Sequence, residues 1–497
     1  MSTPTEHRKR TKIVATIGPA SQEKGMLRAL IHAGMDVARI NFSHGDHETH
    51  ARNIRNIRQV AEEEGAVVAI LADLPGPKLR IGTLPNEPLE LTEGDRVTLT
   101  LRDNLTEDDD PFLIPFPHPD VLADMNVGER LLLDDGQIEF IVQEKRGDEV
   151  ICEVVNGGAL SSHKGVSVPD TRLSLSSITE QDREHLRFAL AQGVDYVALS
   201  FVRSGEDMRE LRWLVRHLGG DAALIAKIEK AEALANFESI LEQSDAIMVA
   251  RGDLGVETPA ERVPVHQKNI IRRCNQVGKP VITATQMLQS MIENPRPTRA
   301  ESTDVANAIF DGTDAVMLSG ETAVGKYPLQ SVETMVKIAE IAEEYMRQHV
   351  EMHPVTLTRE AILGSDPAVR LVPAAVSHVT SGLAQMLDAK LIIASTRSGY
   401  TARRIARVRP NTPILATTPH RATYNRLALV WGVTPMLVEQ FQTIDEMIEV
   451  SVGKAQAADL VQEGDLIVLV GGVPFGIGNP TNFLKVMCVG QSGECAQ

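Results

Sequence analysis

Short runs of β-branched and other apolar residues recur along the chain, and stretches with helical periodicity separate them. This alternation is typical of βα units around a parallel sheet. Eight runs are predicted as strands of one region: Ile13–Gly18, Val37–Ser43, Val68–Leu74, Tyr196–Phe201, Leu224–Glu229, Ala246–Arg251, Val281–Gln286 and Ala315–Gly320. Eight such units indicate an α/β protein built on a (β/α)8 TIM barrel, whose active-site groups lie at the carboxyl ends of the strands.

The pattern breaks between the third and fourth runs, from Pro75-Gly76-Pro77 to Pro169-Asp170. The residues between them alternate like strands and contain turns at Asp135-Gly136 and Gly157-Gly158, and the stretch is too long for a loop. We therefore predict a small inserted β-barrel domain, which would cover the catalytic rim as a lid and exclude water.

A further set of strand-like runs begins after a helical stretch that ends near Gln348. These runs are Leu391–Thr396, Ile414–Thr417, Pro435–Val438, Leu466–Val470 and Phe483–Val489. Helical patterns separate them, which predicts a C-terminal doubly wound α/β domain. The predicted domains are the barrel in residues 1–74 and 171–348, the lid in residues 75–170, and the C-terminal domain in residues 349–497.

Composition and charge narrow the classes of partner. The formal net charge of −17 disfavours nucleic acid and anionic membranes, because polyanions bind basic faces. The four cysteines, Cys152, Cys274, Cys488 and Cys495, show neither metal-ligand spacing nor a disulfide framework. Residues Met1–Thr11 are polar and basic, and no run is long enough to span a bilayer. We expect a cytoplasmic protein.

Three charged residues follow two adjacent predicted strands. Lys227 and Glu229 end one run, and Asp253 follows the next. Side chains two apart on a strand share a face, so these groups should meet at one rim of the barrel. A cation beside two carboxylates that could hold a divalent metal outlines a phosphoryl-transfer site. The other predicted strands also end in polar residues: Asn41, Ser43, Asp73, Ser200, Thr285 and Ser319.

Several local motifs have a simpler explanation than the function they suggest. Gly320–Lys326 has the spacing of a phosphate-binding Walker loop, but Tyr327 stands where Ser or Thr would bind magnesium. His44–His50 is rich in histidine but lacks zinc-site spacing, so a solvated loop and helix start is favoured, with His44 near the cleft. Gly471–Gly478 follows a strand like a dinucleotide loop, and an ordinary turn explains it equally well.

Thr298 and Glu301 have the spacing of a capping box that opens a helix through Phe310. Capping accounts for both residues. It does not require Arg299, for which a subunit contact is the open alternative.

Six separated segments resemble the pyruvate kinase family, in the same order along the chain. They are Thr11–Pro19, Arg39–Gly45, Lys227–Glu229, Arg251–Gly255, Thr283–Leu288 and Met317–Ala323. The resemblance runs from about Lys12 to Gly490. It implies a barrel, an inserted lid and a C-terminal regulatory domain in a homotetramer.

The resemblance implies a role for each matching residue. Glu229 and Asp253 would bind Mg²⁺ or Mn²⁺, and Lys227 would bind the phosphoryl group and stabilise an enolate. Arg39 would hold the transferring phosphate. The remaining assignments are the Gly252 amide for the substrate carboxylate, Thr285 and Ser319 for substrate contact and protonation, and Arg80, Lys164, Asn41 and His44 for the nucleotide.

The resemblance also exposes a departure. Many family members hold potassium with counterparts of Asn41, Ser43, Asp73 and residue 74, beside a glutamate. Here Lys78 stands at the position of that glutamate, and Leu74 replaces the usual hydroxyl residue. An ammonium group can supply the positive charge of the ion and would repel it at short range, so we expect no potassium requirement.

A phosphorylated allosteric effector is expected in the C-terminal domain. Residues 395–401 follow a predicted strand and open a helix, which offers hydroxyl and amide groups to a phosphate. This segment resembles the effector loop of the family, with Thr396, Ser398, Gly399 and Thr401 as its binding residues. An ordinary capped turn is the alternative.

The sequence therefore predicts a phosphotransferase that converts phosphoenolpyruvate and ADP to pyruvate and ATP, the last step of glycolysis. One alternative is a barrel enzyme such as a carbon–carbon lyase that uses the same magnesium–enolate chemistry. The other is a non-catalytic regulatory protein of the same descent. Arg80 and Lys164 argue against the lyase, and the intact Lys227, Glu229 and Asp253 argue against the regulatory protein.

Overall fold

The computed structural model describes residues 9–103, 105–349, 371–473 and 481–490. Its strands, in chain order, are β1 (Lys12–Thr16), β2 (Val37–Asn41), β3 (Ala69–Leu74), β4 (Leu89–Leu91), β5 (Arg96–Thr100), β6 (Leu113–Pro115), β7 (Arg130–Leu133), β8 (Ile138–Arg146), β9 (Glu149–Asn156), β10 (Gly158–Leu160), β11 (Val166–Ser167), β12 (Tyr196–Leu199), β13 (Ala223–Ile228), β14 (Ala246–Ala250), β15 (Val281–Ala284), β16 (Ala315–Leu318), β17 (Leu391–Ser395), β18 (Ile414–Thr418), β19 (Val433–Leu437), β20 (Leu466–Gly471) and β21 (Phe483–Cys488).

The helices are α1 (Lys24–Ala33), α2 (His47–Glu63), α3 (Pro119–Asp124), α4 (Glu180–Ala191), α5 (Gly205–His217), α6 (Ala231–Ala235), α7 (Phe237–Gln243), α8 (Arg251–Glu257), α9 (Val263–Val277), α10 (Arg299–Phe310), α11 (Gly320–Ala323), α12 (Pro328–His349), α13 (Leu371–Met386), α14 (Tyr400–Ala406), α15 (Arg421–Arg426) and α16 (Ile444–Ala457). Short 3₁₀ turns cover Ala260–Arg262, Gln289–Ile292 and Leu427–Leu429.

Eight parallel strands close into a barrel in the order β1-β16-β15-β14-β13-β12-β3-β2, which confirms the predicted architecture. Both faces of each strand are buried, as in parallel sheets covered by helices. In β1, Val14 points into the barrel interior, while Ile13 and Ala15 belong to the layer between strands and helices. This alternation places every second residue of a strand inside the barrel, and the carboxyl ends of all eight strands at one rim.

Seven of the eight predicted barrel strands end one or two residues earlier than expected, and the local geometry of two of them shows why. The run Val281–Gln286 stops at Ala284, because Thr285 and Gln286 adopt left-handed conformations with φ of 68° and 53°. The run Ala246–Arg251 stops at Ala250, because Arg251 already begins α8. In both cases the residues with candidate chemistry lie just past the strand.

The inserted β domain has its own apolar core, which includes Phe116, Phe140 and Cys152. Six strands form a sheet in the order β11-β7-β8-β9-β5-β6, and β4 pairs with β10 in a separate ribbon. Its hydrogen bonds leave the sheet open, because the edge strands β11 and β6 have only 2 and 3 residues with which to pair. The boundaries predicted for the three domains stay a prediction.

The C-terminal domain is a five-stranded sheet in the order β19-β18-β17-β20-β21, with an apolar cluster on each face. It contacts the amino-terminal end of the barrel. Ala428 and Leu429 pack with the residues that fill the barrel interior, and Lys12 Nζ donates to Val433 O at 2.9 Å. The C-terminal domain therefore lies at the end of the barrel opposite the rim that carries the candidate site.

Three smaller expectations have clear outcomes. Thr298 and Glu301 form the predicted capping box at the start of α10. Cys152 and Cys274 are buried free thiols, whereas Cys488 is disulfide-bonded, which cysteine spacing alone did not indicate because bonding depends on approach in space. Among the described residues, no helix combines the length and apolar character needed to cross a bilayer.

Candidate active site

The base of the site is a buried carboxylate between two cations. Asp73 is 1% exposed, and its Oδ2 accepts a 2.7 Å hydrogen bond from Arg39 Nε. Its Oδ1 lies 3.4 Å from Lys227 Nζ and accepts no hydrogen bond from any described residue. Burial alone would raise the pKa of Asp73, but Lys227 and Arg39 outweigh it and hold the pKa below its usual value. Asp73 is therefore ionised and balances both cations.

Lys227 and Glu229 face each other as their spacing on β13 predicts. Lys227 Nζ lies 2.9 Å from Glu229 Oε1, and the backbone amide of Phe201 donates to Glu229 Oε2 at 2.6 Å. Burial alone would lower the pKa of Lys227, but Asp73 and Glu229 together raise it. The lysine therefore keeps its positive charge in a site from which water is largely excluded.

Asp253 completes the predicted trio at the first turn of α8. Its side chain is exposed and has no ion-pair partner among the described residues, in contrast to the buried Glu229. Burial raises the pKa of Glu229, Lys227 offsets part of that effect, and the Asp253 carboxylate raises the pKa further. A carboxylate that is close enough to Glu229 to raise its pKa is suited to share a cation with it.

A divalent cation fits this pair of carboxylates. No cluster of three or more His, Cys, Asp or Glu side chains suited to a metal occurs in the described part of the chain. Mg²⁺ does not need one, because it commonly binds through one or two carboxylates and takes its other ligands from water and substrate phosphate. Mn²⁺ suits the same oxygen ligands.

Thr285 and Gly252 are in direct contact. The Gly252 amide donates a 2.7 Å hydrogen bond to Thr285 Oγ1, which in turn donates to Ala284 O at 2.6 Å. Arg251 holds this turn through a 2.7 Å bond to Thr285 O. The left-handed conformation of Thr285 turns its hydroxyl toward α8, so the amide predicted to bind the substrate carboxylate is paired with that hydroxyl in this structure.

Ser319 lies at the end of β16, where it precedes α11. Its amide donates to Glu321 Oε2 at 2.7 Å, and Glu321 Oε1 accepts from the Leu288 amide at 3.1 Å. Glu321 is 1% exposed, so it joins the ends of β15 and β16 from inside the protein. The Walker-like reading of this segment fails, because Lys326 is exposed and pairs with Glu293.

A cavity of about 330 Å³ lies between the barrel rim and the inserted domain. Its lining includes Lys78, Arg80, Lys164, Phe201 and Asp253. Three of these are cations, and we call Lys78, Arg80 and Lys164 the basic wall of the cavity. The full lining also holds Arg203 and Lys230 and four carboxylates, those of Asp134, Asp135, Asp253 and Glu257, so cations exceed carboxylates only slightly. The cavity is large enough for a ligand of moderate size.

Of the four predicted nucleotide residues, Arg80 and Lys164 line this cavity, whereas Asn41 and His44 do not. Arg80 Nη1 donates to His163 O at 2.7 Å, and Lys164 Nζ pairs with Asp134 Oδ1 at 2.6 Å. His44 is exposed, and its pKa is lowered by partial burial and by the neighbouring Lys78, Arg80 and Arg39. This shift reflects the concentration of positive charge at the rim.

The predicted monovalent-cation residues end β2 and β3. Asn41 Oδ1 accepts from the Ser43 amide at 3.1 Å, and the Leu74 carbonyl accepts from Ser200 Oγ at 2.7 Å. Lys78 keeps contact with solvent, yet surrounding protein and the charges of Lys227 and Arg80 lower its pKa. The carboxylates of Asp253 and Asp73 raise the pKa of Lys78, so the charged groups of the site act on the Lys78 ammonium from both directions.

The predicted effector loop is only partly open to solvent. Ser398 is exposed, and Gly399 is left-handed with φ of 80° where the chain turns into α14. Thr396 and Thr401 are 6% and 5% exposed, and Thr401 Oγ1 bonds to Thr481 Oγ1. Part of the dinucleotide-like segment, residues 474–478, lies outside the described residues.

Sequence reasoning missed the residues that form hydrogen bonds with the site residues and fix their positions. They are Thr16, Phe201, Arg251 and Glu321, together with Ser200, which was noted only as a polar strand end. Thr16 also lies at a strand end and carries a hydroxyl, which is the signal that could have found it. Phe201 acts through its backbone amide, which no side-chain pattern reveals.

Comparisons with known proteins agree with one another. The family model described as "Pyruvate kinase, barrel domain" matches residues 8–332, and "Pyruvate kinase, alpha/beta domain" matches residues 374–487. A pyruvate kinase of Geobacillus stearothermophilus is 46% identical over 96% of this chain and 80% of its own length. One from Clostridium acetobutylicum is 42% identical over 97% of this chain and 99% of its own length. A crystal structure of a pyruvate kinase from Cryptosporidium parvum superposes with a TM-score of 0.88 at 36% identity, covering 97% of this chain and 96% of that one.

The charge of Asp73 should stabilise the fold. Replacing Asp73 with Asn leaves Arg39 and Lys227 without their shared counter-charge, so we expect a loss of about 3 kcal/mol or more in the free energy of unfolding. A pKa that is depressed in the folded state stabilises above the unfolded value of about 4 and loses that effect as pH falls. The difference between wild type and Asp73→Asn should therefore be largest near neutral pH and shrink in acid.

Urea denaturation at a series of pH values measures this difference. Asp170→Asn is the matched control, because Asp170 pairs with Arg130 at the exposed surface, where such pairs contribute about 1 kcal/mol or less. Equal losses in the free energy of unfolding for Asp73→Asn and Asp170→Asn at neutral pH would contradict the stabilising role of the Asp73 charge.

Proposed function

The chain belongs to the pyruvate kinase family, and we propose that Arg39, Lys227, Glu229 and Asp253 perform the family reaction in it. This reaction transfers the phosphoryl group of phosphoenolpyruvate to ADP and yields ATP and pyruvate. The observation that carries the proposal is a buried group of charges at the ends of β2, β3 and β13. In it, the cations Arg39 and Lys227 lie in hydrogen-bond or ion-pair contact with two carboxylates, those of Asp73 and Glu229.

Lys227 and Arg39 supply the positive charge for the transferring group. Their side chains are held in place before any substrate binds, so they need little reorganisation when negative charge develops. A planar guanidinium suits bidentate contact with phosphate, and a lysine provides a point charge near the forming enolate. Positioning and electrostatics account for the catalysis without a covalent intermediate.

Members of this family generally need Mg²⁺ and a monovalent cation. We assign the divalent ion to Glu229 and Asp253, whose mutual influence on the pKa of Glu229 supports a shared cation. Bound there, the ion would neutralise charge on the phosphoryl oxygens. Glu229 is fixed by the Phe201 amide, whereas the exposed Asp253 is free to adjust to its ligand.

Thr285, Gly252 and Ser319 serve the organic part of the substrate in this proposal. The Gly252 amide binds the carboxylate, which requires the Thr285 hydroxyl to release the bond that it now accepts. That exchange would free the hydroxyl next to the substrate carbon that becomes protonated. Ser319, on the strand neighbouring that of Thr285, completes the hydroxyl network for proton delivery.

ADP occupies the cavity under the inserted domain in this proposal. Arg80 and Lys164, which line the cavity, support it. Asn41 and His44 do not line the cavity, and their nucleotide role rests on the family resemblance, with His44 close enough to Lys78 and Arg80 for their charges to lower its pKa. Closing the lid over the cavity would exclude water from the transfer. A lyase would have no nucleotide for Arg80 and Lys164 to bind. A regulatory protein would not need the costly buried charges of Asp73 and Lys227.

Lys78 replaces the monovalent cation in this proposal. One contact supports it: the buried Asp73 Oδ1 accepts no hydrogen bond from the described residues. Asp253 and Asp73 also raise the pKa of Lys78, although burial and the charges of Lys227 and Arg80 lower it more. An ammonium could approach that oxygen as a potassium ion would. A solvent-facing lysine that leaves the ion site unchanged is the alternative, because lysine stems reorient easily.

A phosphorylated effector, AMP or a sugar phosphate, binds the segment around Ser398 and Gly399 in this proposal. The exposed Ser398 supports it, since its hydroxyl is open to solvent where the left-handed Gly399 turns the chain into α14. The buried Thr396 and Thr401 would act by shaping the loop, unless binding rearranges it.

We propose a homotetramer in the cytoplasm. Exposed apolar side chains of α10 and α12 support a subunit contact, since Phe310, Ile341 and Tyr345 are 43%, 68% and 53% exposed. Arg299 begins the same helix as Phe310 and could join that contact. Sedimentation that returns the mass of one chain would contradict the tetramer.

Two substitutions at the base of the site should have different signatures. We expect Lys227→Met to lose pyruvate formation from phosphoenolpyruvate and ADP by at least about a hundredfold, and to slow the enolisation of pyruvate as well. Asp253→Ala should also lose most activity, but added Mg²⁺ should restore part of it because only a metal ligand is removed. A coupled assay and proton exchange of the pyruvate methyl group in deuterated water measure both reactions.

Wild type supplies the reference, and ADP-dependent pyruvate formation separates a kinase from a lyase. Wild-type rates for Lys227→Met in both reactions would show that its charge has no catalytic role. Near-normal activity of Asp253→Ala at ordinary Mg²⁺ would remove that residue from the metal site.

The monovalent-cation proposal predicts that activity does not depend on potassium. Replacing potassium by tetramethylammonium at equal ionic strength should leave the rate unchanged, and Lys78→Glu should create a potassium requirement. Lys337→Glu is the control, because it makes the same charge change at an exposed helical position. A wild-type rate that collapses without potassium would refute the proposal.

The effector proposal predicts that Ser398→Ala raises the concentration of AMP or sugar phosphate for half-activation about tenfold, the equivalent of one lost hydrogen bond to a charged group. The rate at saturating substrate without effector should not change. Thr106→Ala, an exposed threonine of the inserted domain, provides the control. Unchanged activation of both Ser398→Ala and Thr396→Ala, with ligand bound elsewhere in a crystal, would count against this loop.

A further inference from the structure

Two buried hydroxyl groups contact the two cations of the site. Thr16 and Ser200 are 4% and 3% exposed. Arg39 Nη1 donates to Thr16 Oγ1 at 2.9 Å, and Lys227 Nζ donates to Ser200 Oγ at 2.7 Å. Each cation therefore has a neutral hydrogen-bond partner in addition to its carboxylates.

The direction of these bonds follows from chemistry. A hydroxyl has one hydrogen to donate, whereas ammonium and guanidinium groups only donate and a carbonyl oxygen only accepts. Thr16 Oγ1 lies 2.9 Å from Leu318 O, and Ser200 Oγ lies 2.7 Å from Leu74 O. Each hydroxyl must therefore donate to its carbonyl, which leaves its lone pairs directed at the cation.

The position of each hydroxyl is set by three adjacent strands. Thr16 ends β1, its cation comes from β2, and its carbonyl comes from β16. Ser200 follows β12, its cation comes from β13, and its carbonyl comes from β3. The same arrangement therefore occurs at two places on the rim. In each, the hydroxyl belongs to the middle of three neighbouring strands and links a cation of one outer strand to a carbonyl of the other.

A neutral partner has an advantage over a further carboxylate. Lysine and arginine side chains have many rotamers, and the carboxylates of Asp73 and Glu229 draw Lys227 toward themselves. A third carboxylate would fix the lysine but cancel the charge that a phosphoryl group requires. A hydroxyl fixes the direction of the side chain and leaves its charge intact.

We infer that Ser200 and Thr16 are positioning residues, which hold Lys227 and Arg39 where the phosphoryl group is transferred. The inference rests on the proposed roles of Lys227 and Arg39. Ser200 serves a lysine that acts on both the phosphoryl group and the enolate, whereas Thr16 serves an arginine that contacts the phosphoryl group alone. Loss of the two hydroxyls should therefore affect the two half-reactions differently.

Substitutions that remove only the hydroxyl test this difference in the full-length protein. Ser200→Ala should lower kcat and the rate of pyruvate methyl exchange about tenfold or more, since small misplacement of a catalytic group costs factors of ten to about a hundred. Thr16→Val should lower kcat/KM for phosphoenolpyruvate by about tenfold and leave the exchange rate within about twofold of wild type. Thr16→Ser keeps the hydroxyl and should restore wild-type kinetics.

Two buried hydroxyl groups that donate to a backbone carbonyl, but accept no hydrogen bond from a cation among the described residues, serve as matched controls. Thr322 Oγ1 donates to Thr16 O at 2.9 Å, and Ser244 Oγ donates to Ile240 O at 2.7 Å. Thr322→Val and Ser244→Ala should keep wild-type kinetics in both reactions. Melting temperatures of all variants show whether a loss of activity is a loss of fold.

The outcomes separate this inference from the proposed function. If Lys227→Met is inactive while Ser200→Ala and Thr16→Val match their controls, the positioning role is overturned and the proposed function stands. If Lys227→Met is active, the proposed function fails, and the inference fails with it. Equal losses in both half-reactions for Ser200→Ala and Thr16→Val would also overturn the inference, because a general structural defect would explain them.

Discussion

Asp73 is a buried carboxylate that contacts two cations from different strands, Arg39 at 2.7 Å and Lys227 at 3.4 Å. A charge in the interior is costly unless it is paired, and here one carboxylate reduces the cost of two cations at once. Glu229 balances the remaining charge through its 2.9 Å contact with Lys227. Without Asp73 the two cations would repel each other at the rim that carries the proposed phosphate site. The geometry of the candidate site thus depends on this single carboxylate.

The site combines a rigid base with an adjustable rim. The base consists of residues that are buried and bonded to backbone, such as Glu229 with the Phe201 amide. The rim consists of exposed charges, such as Asp253 and Lys78, which have no ion-pair partner among the described residues. In the proposed function, the base keeps the charges of Arg39 and Lys227 in position without ligand, while the exposed side chains of the rim adjust to the metal and the nucleotide. This division is what a reaction that depends on positioning and electrostatics requires.

The sequence by itself determined the elements and the kind of chemistry. The alternation of apolar runs with helical periods identified all eight barrel strands, because strands buried on both faces are apolar throughout. Strand ends identified the rim, and the spacing of Lys227 and Glu229 put both on one face. Those inferences need only local periodicity and the rule that barrel sites lie at carboxyl ends. Motif resemblance supplied the family, which the comparisons bear out.

Only the tertiary structure decided which of these residues are partners. Thr16 bonds to Leu318 O although 302 residues separate them in sequence, because closing the barrel brings β1 beside β16. The strand order β13-β12-β3-β2 likewise gives Asp73 its two cations, because it brings Lys227 and Arg39 to opposite sides of β3, whereas the sequence assigned Asp73 to a monovalent-cation site. Local conformation also mattered: the left-handed turn at Thr285 places its hydroxyl on the Gly252 amide. Periodicity specifies which face a side chain occupies, but its contacts depend on which distant strand the closed barrel sets beside it.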